Sequence, residues 1–390
     1  MKKPLLIVTI ILVVILALPV INLLRWTFQA KKPMGIIIVD KTVPTLEREK
    51  HKSFNWILTN DRFVKKEKKT SYSYKKDYYG FVPKRPLKEK LWGKNSYNLT
   101  EAIQELPEKN DAVYFTDTYG VFFNDWYRGI NKSRRSRKLE GALNNTDNLL
   151  IKEMKDRNKL VILEYNSFDY PTAEYESYRI QERLGIKWSG WTGKYFSSLD
   201  TAAKGNEDFP IWMTGMYRKQ FKKPWTFKNA GIVFLRDRGI IVLEEGTHLK
   251  NPMPEIISDS AFIARWKLPE TVAFNQWFDI IDPLENTVVS KFRIETTAVG
   301  DTLLADYELS NEFPAVIQEP TVQRTYYFSG DFTNKDIPVW TSHLKGVENL
   351  KGILYSKKPD DTRRFFWLYY RPLIQGIFND YYDSMSAKQE

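Results

Sequence analysis

Four acidic residues stand where apolar runs end: Asp40, Asp117, Glu164 and Asp331. The runs are Gly35–Val39, Ala112–Phe115, Leu160–Leu163 and the TYYF of Arg324–Phe328. If these runs are neighbouring strands of one parallel sheet, their acids share its carboxyl edge, where open α/β sheets take ligands. Carboxylates gathered there, with Asn166 and Asp169, can bond sugar hydroxyls, hold a hard divalent cation through oxygen, or work as an acid–base pair. The acid–base version is a hydrolase using Glu164 with Asp117 or Asp169. The same residue types at strand-to-helix turns also serve as helix N-caps and nothing more. A nucleophile reading would take Ser167 with His248 or His343 as base, but the turn lacks the glycines of G-x-S-x-G. Downstream, GIKWSGWTGKYF sets Trp188, Trp191 and Tyr195 close together, as a sugar-stacking platform or as a packed loop. The ligand-binding candidates are therefore Asp40, Asn166, Ser167, Trp188, Trp191 and Asp331.

Composition narrows the chemistry. The chain has no cysteine, which excludes disulfides, thiolate metal sites and a cysteine nucleophile. With only His51, His248 and His343 present, no multi-histidine metal site is expected. G-x-G-x-x-G and G-x-x-x-x-G-K-[ST] are both missing, so no dinucleotide or P-loop site, and no cofactor, is expected. The net charge of +11 is uneven: Asp61–Lys94 holds twelve Lys or Arg against four Asp or Glu, and Lys132–Lys138 (KSRRSRK) holds five cations and no acid. Both stretches favour anionic headgroups or an anionic envelope polymer over nucleic acid.

The elements that would position these residues follow in order. Pro4–Leu24 is an uncharged apolar run of 21 residues. As a helix it covers about 30 Å, and Arg25, Trp26, Lys31 and Lys32 follow as interfacial anchors would. It predicts an uncleaved signal-anchor: one membrane span, a cytoplasmic N-terminus, the bulk outside the cytoplasm, and localisation to the cell membrane. Gly35–Val39 reads as a central parallel strand, Pro44–Leu58 as a helix, and the Tyr-rich basic stretch Asp61–Lys94 as a surface flap. Ala112–Phe115, the helix Leu139–Asn158, the strand Leu160–Leu163 and the helix Ala173–Leu184 continue the alternation that argues for a parallel sheet flanked by helices. Asp208–Phe221 reads as a helix. From Trp225 to Ser310 the period turns to two, with strands at GIVFLRDRGIIVLEEG, Thr271–Ile281, Val288–Thr297 and Thr302–Leu309. Gly352–Tyr355 reads as a last strand. Arg363–Tyr382 reads as an aromatic amphipathic helix that Pro372 kinks.

The strand, turn and helix of Leu160–Leu184, introduced by a helix ending KDRNK and followed late by a strand at RTYYFSGDF, resemble the class I glutamine-amidotransferase-like, flavodoxin-like fold over Met34–Leu199 and Phe313–Asp331. The resemblance implies an α/β fold with a parallel sheet and with Trp225–Ser310 inserted into it. The family's glutaminase requires a cysteine at the turn, where this chain has Tyr165-Asn166-Ser167, so the resemblance implies no glutaminase activity. The expected organisation is an anchor over 1–32, an α/β domain over 33–224 and 311–390, and a β-rich insertion over 225–310. The expected function is binding of an envelope glycan or anionic polymer as an accessory in envelope assembly. The alternatives are a carboxylate-dependent hydrolase of such a polymer and a structural partner of another membrane protein, docked through the C-terminal helix.

Overall fold

The computed structural model describes residues 17–85, 90–127, 136–203, 206, 209–335 and 337–387. Its centre is an eight-stranded sheet. In order across the sheet the strands are Thr271–Ala273, Glu255–Ser258, Thr287–Arg293, Glu312–Gln318, Thr325–Phe328, Leu160–Glu164, Ala112–Asp117 and Ile36–Asp40. The last four are parallel, with Ile37 opposite Val113, Val113 opposite Val161 and Val161 opposite Thr325. The others pair antiparallel.

Leu160–Glu164 is buried along its length because parallel neighbours flank it and helices cover both faces. The pleat sorts its side chains. Leu160 and Ile162 join Ile36, Ile38, Tyr114 and Phe328 against Phe54, Trp56 and the C-terminal helix. Val161 and Leu163 join Ile37, Val39, Val113 and Phe115 against Leu150, Ile151, Met154 and Ile180.

This architecture corrects the expected parallel flavodoxin-like core. Only half of the sheet is parallel, and its four strands follow one another in chain order, so no reversal of strand order creates a crevice within that half. The reason lies in the connections. Residues 319–324 join Glu312–Gln318 to Thr325–Phe328, and so short a link closes a hairpin, not a crossover. The segment 225–310 feeds two sheets. Gly231–Arg236 and Gly239–Glu244 form a four-stranded antiparallel sheet with Lys187–Phe196 and Trp277–Asp282, while Glu255–Ser258, Thr271–Ala273 and Thr287–Arg293 extend the large sheet.

Several elements also differ from their sequence reading. Thr302–Leu309, expected as a strand, is helical in its first half, within the helix Ala298–Ala305, where the Thr297 hydroxyl accepts from the Gly300 N–H as an N-cap, and a turn follows. Lys351–Leu354 is a helical turn where a strand was expected. At the C-terminus, Thr362–Phe365 and Arg371–Ser386 are α-helical and flank a π-helical turn at Phe366–Tyr370, which accommodates Pro372. Leu373, Ile374, Ile377, Phe378 and Tyr381 of this helix are buried in the protein's own core, which removes the face expected to meet a partner. The Tyr-rich stretch is likewise no free flap. Tyr72 is buried, its hydroxyl donating to the Met34 carbonyl (2.7 Å) and accepting from the Ile36 N–H (2.8 Å), so it fastens the edge strand Ile36–Asp40.

The expected N-terminal membrane span is also corrected. Residues 4–16 of that run lie outside the described residues. The helix that is described spans 17–28, and among the described residues no helix is long and apolar enough to cross a membrane. Trp26, read as an interfacial anchor, instead docks on the protein. Its indole N–H donates to the Thr59 carbonyl (2.9 Å), and its ring lies 4.5 Å from that of His343. The single-pass anchor and the cell-membrane localisation expected from it are therefore not supported.

Candidate functional site

The acids at the strand ends are brought together, but they are committed to each other's neighbours. The helix Glu49–Asn60 follows Ile36–Asp40, which lies at the edge of the sheet and not, as expected, at its centre, and lays Lys50 and His51 across the carboxyl edge. The Lys50 ammonium sits 2.6 Å from Asp331 and 3.1 Å from Asp117, with 17% of its side chain exposed. Burial would lower its pKa, but the Asp331 and Asp117 carboxylates outweigh burial and raise it. The two acids divide the cation unequally. Burial pushes Asp117 up, whereas Asp331, at the shorter distance from Lys50, is held below the usual carboxylate range despite its burial. Asp117 also accepts from the Thr42 hydroxyl (2.6 Å) and the Tyr119 N–H (2.8 Å). Asp40 is buried 2.5 Å from Nδ1 of His51, whose Nε2 lies 2.7 Å from the Tyr74 carbonyl.

Glu164 stands apart from this clasp. Its side chain accepts from the backbone N–H groups of Phe332 and Thr333 and from the Tyr114 hydroxyl (2.7 Å), and the residue is 1% exposed. Burial, then the Asp331 charge, raises its pKa well above the usual range. A general acid must reach its substrate, and nothing outside the protein reaches this carboxyl. Ser167 is buried and donates to the Glu164 carbonyl (2.6 Å), so it is no nucleophile. Asn166 adopts a left-handed φ of 70°, and its carbonyl accepts from the Thr118 hydroxyl (2.7 Å). Asp169 is exposed on the turn and accepts from the Tyr170 N–H. Trp191 is buried against Tyr307, and Trp188 is half-buried against Phe168, so the expected aromatic platform is core and sheet packing. Among the described residues no group of three or more His, Cys, Asp or Glu could hold a metal ion.

An open cleft of about 390 Å³ lies beside this edge, lined by Lys94, residues 138–145, Pro171, Ala173 and Glu176. Its walls include the first turns of two helices, Asn145–Asp156 and Glu174–Leu184. Asn144 caps the first in a capping box with Asp147, and no side chain caps the second at Ala173, which itself lines the cleft. Lys94 pairs with Glu140 at 2.9 Å, and Glu176 is met by Arg179 at 3.3 Å and by the Asn148 amide. Under the rim, buried Lys41 donates to the Ala142 carbonyl (2.7 Å) and bonds Asp147 (2.5 Å). Burial, with Lys41 and Lys94 nearby, lowers the Lys138 pKa against the pull of Glu140.

Sequence reasoning flagged the basic segments that supply Lys94 and Lys138 but not their meeting; Lys132–Arg135 of the second segment lie outside the described residues. It missed Lys50 and His51 altogether. Lys50 and Asp331 are 281 positions apart, and no local pattern reports such a pair.

No protein-family model matches the sequence, and no curated protein does. In structure the chain is similar to a ThuA-like protein from Bacteroides uniformis ATCC 8492, at 8% identity and a TM-score of 0.36 over 87% of this chain and 93% of that one. It is also similar to a beta-galactosidase from Bacillus circulans sp. alkalophilus, at 10% identity and a TM-score of 0.32 over 85% of this chain and 33% of that one. Likenesses this remote carry no argument about function.

Proposed function

We propose that the protein binds a hydroxyl-rich anionic ligand in the cleft walled by Lys94, Lys138 and the start of the helix Glu174–Leu184. The observation that carries this reading is the convergence of two separate basic segments on one opening at the carboxyl edge of the parallel strands. An anion there relieves the mutual repulsion of Lys138, Lys94 and Lys41 and accepts from the uncapped helix start, whose dipole favours negative charge. Glu140 and Glu176 supply acceptors for hydroxyls. A hydrolytic reading finds no support in the position of Glu164.

Calorimetric titration with acidic oligosaccharides tests the proposal. Lys138→Glu, which reverses a charge at the cleft without breaking the Lys94–Glu140 pair, is expected to weaken binding at least about tenfold, equivalent to ~1.4 kcal/mol, and to lower its salt dependence. Unchanged affinity in the variant overturns the site.

A further inference from the structure

We infer that the part of the ligand seated in the cleft is a sugar carrying a single negative charge, a uronic acid or a sulfate monoester and not a phosphate monoester. This inference rests on the cleft reading and adds the charge that the ligand must bring. Four cations line the cleft or bond directly to its lining residues: Lys41, Lys94, Lys138 and Arg179. Three acids do the same: Glu140, Asp147 and Glu176. All three acids are paired, Glu140 with Lys94 at 2.9 Å, Asp147 with Lys41 at 2.5 Å and Glu176 with Arg179 at 3.3 Å.

Lys138 is the cation left over. It is exposed at the opening and forms no salt bridge among the described residues, although Glu140, Lys41 and Lys94 all lie within its field. The paired acids are not free to exchange partners. Glu140 is 8% exposed, Lys41 and Asp147 are buried, and the Tyr97 hydroxyl also donates to Asp147 (2.6 Å). Pulling a cation out of such a pair leaves a buried carboxylate alone, which costs more than one new contact contributes. A ligand therefore meets one available positive charge, not four.

The unused hydrogen-bonding groups of the lining select the rest of the ligand. Oδ1 of Asn144 accepts from the Asp147 N–H, and Oδ1 of Asn145 accepts from Arg179 (2.9 Å), which leaves both amide NH2 groups as donors. Lys94 bonds one oxygen of Glu140, and Arg179 and the Asn148 amide bond one oxygen of Glu176. The other oxygen of each carboxylate has no partner among the described residues and accepts only from an O–H or N–H group. Sugar hydroxyls donate and accept, so they serve amides and carboxylates alike. A phosphate monoester carries nearly two negative charges near pH 7, its second pKa being about 6. One charge would face Lys138, and the other would stand uncompensated beside Glu140 and Glu176. A carboxylate or a sulfate monoester brings one charge only.

The test is an NMR titration of the full chain, near pH 7 and at low salt, with D-glucose, D-glucuronate, glucose 6-sulfate and glucose 6-phosphate. Glucuronate or the sulfate ester is expected to bind about tenfold or more tightly than glucose and than the phosphate ester, and the tighter of the two names the charged group. Lys138→Gln should remove that advantage over glucose. Glu176→Gln keeps an acceptor for the Asn148 amide but frees Arg179, so it should raise the affinity of the phosphate ester about tenfold. A phosphate ester that binds the native chain more tightly than both singly charged sugars, and weakens in Lys138→Gln, overturns the single charge and leaves the cleft standing. Glu176→Gln that leaves the order of the four ligands unchanged does the same. Absence of binding by all four overturns this inference, and absence of acidic-oligosaccharide binding in the same titration overturns the cleft with it.

Discussion

Two charged regions lie side by side at the carboxyl ends of the parallel strands, and they are organised in opposite ways. In the acidic one, Asp40, Asp117 and Asp331 are all buried, and each has a partner on the helix Glu49–Asn60. In the basic one, Lys94 and Lys138 line an open cleft, and the helix start at Ala173 has no side-chain cap. Both regions draw on residue types that bind ligands, but the first turns its valences inward to hold the sheet and the second leaves some outward. The contrast teaches that a charged residue at a sheet edge becomes a site candidate only after its protein partners are counted.

The largest effect should come from the clasp. Lys50→Met would leave Asp117 and Asp331 buried with no cation between them, and breaking a buried pair from one side costs about 3–5 kcal/mol. Equilibrium denaturation should show a loss of that size with an unchanged denaturant slope. A loss below about 1 kcal/mol would mean that the acidic region is not closed and would reopen it as a site.

A pH effect comes next, at the junction of the two sheets. Asp279 is buried, accepts from the Thr192 hydroxyl (3.0 Å) and the Tyr327 hydroxyl (2.7 Å), and is bonded by the Asn166 backbone. Burial pushes its pKa from 3.8 up to about 7, with Asp169 adding to the rise and Tyr165 also within its field. Between about pH 4 and 7 the native state therefore holds a proton that the unfolded chain has released, so stability falls as pH rises through that window. The slope approaches about 1.4 kcal/mol per pH unit for one such group and flattens above pH 7. Burial also raises Glu164 and Asp117, so the Asp279 share is read as the difference between the native chain and Asp279→Asn. The variant should be visibly less pH-sensitive between pH 4 and 7. Superimposable profiles would show that Asp279 stays ionised in the fold.

The sequence shows the scaffold of this contrast better than its sense. The strands around Ile36–Asp40, Ala112–Asp117, Leu160–Glu164 and Thr325–Phe328 are legible because continuous apolar runs ending at an acid suit strands buried on both faces. The antiparallel half of the sheet is not recognised as part of the same layer, since period-two strands look alike whichever sheet they join. The helix Ala298–Ala305 is missed because Val299, Leu303 and Leu304 fit either period over so few residues. The acids are found at the right edge, but their meaning depends on Lys50 and His51, whose contacts across the fold leave no local trace. The expected aromatic platform fails for the same reason. Trp191 is buried by Tyr307, which lies far away in the chain, and Trp188 packs on Phe168 of the preceding turn, contacts that no spacing of tryptophans reports.

The smallest predicted effect sharpens the comparison most directly at that platform. Trp188 packs on Phe168, and among the described residues its buried indole N–H meets no acceptor. An unsatisfied buried donor costs about 1–3 kcal/mol, so Trp188→Phe removes a penalty along with some apolar area. The two terms oppose each other, and the net change in stability should stay within about 1 kcal/mol. Ligand affinity should stay within about twofold, because Trp188 is not among the residues lining the cleft. A tenfold fall in affinity for Trp188→Phe would put an aromatic contact on the strand where the sequence first placed it.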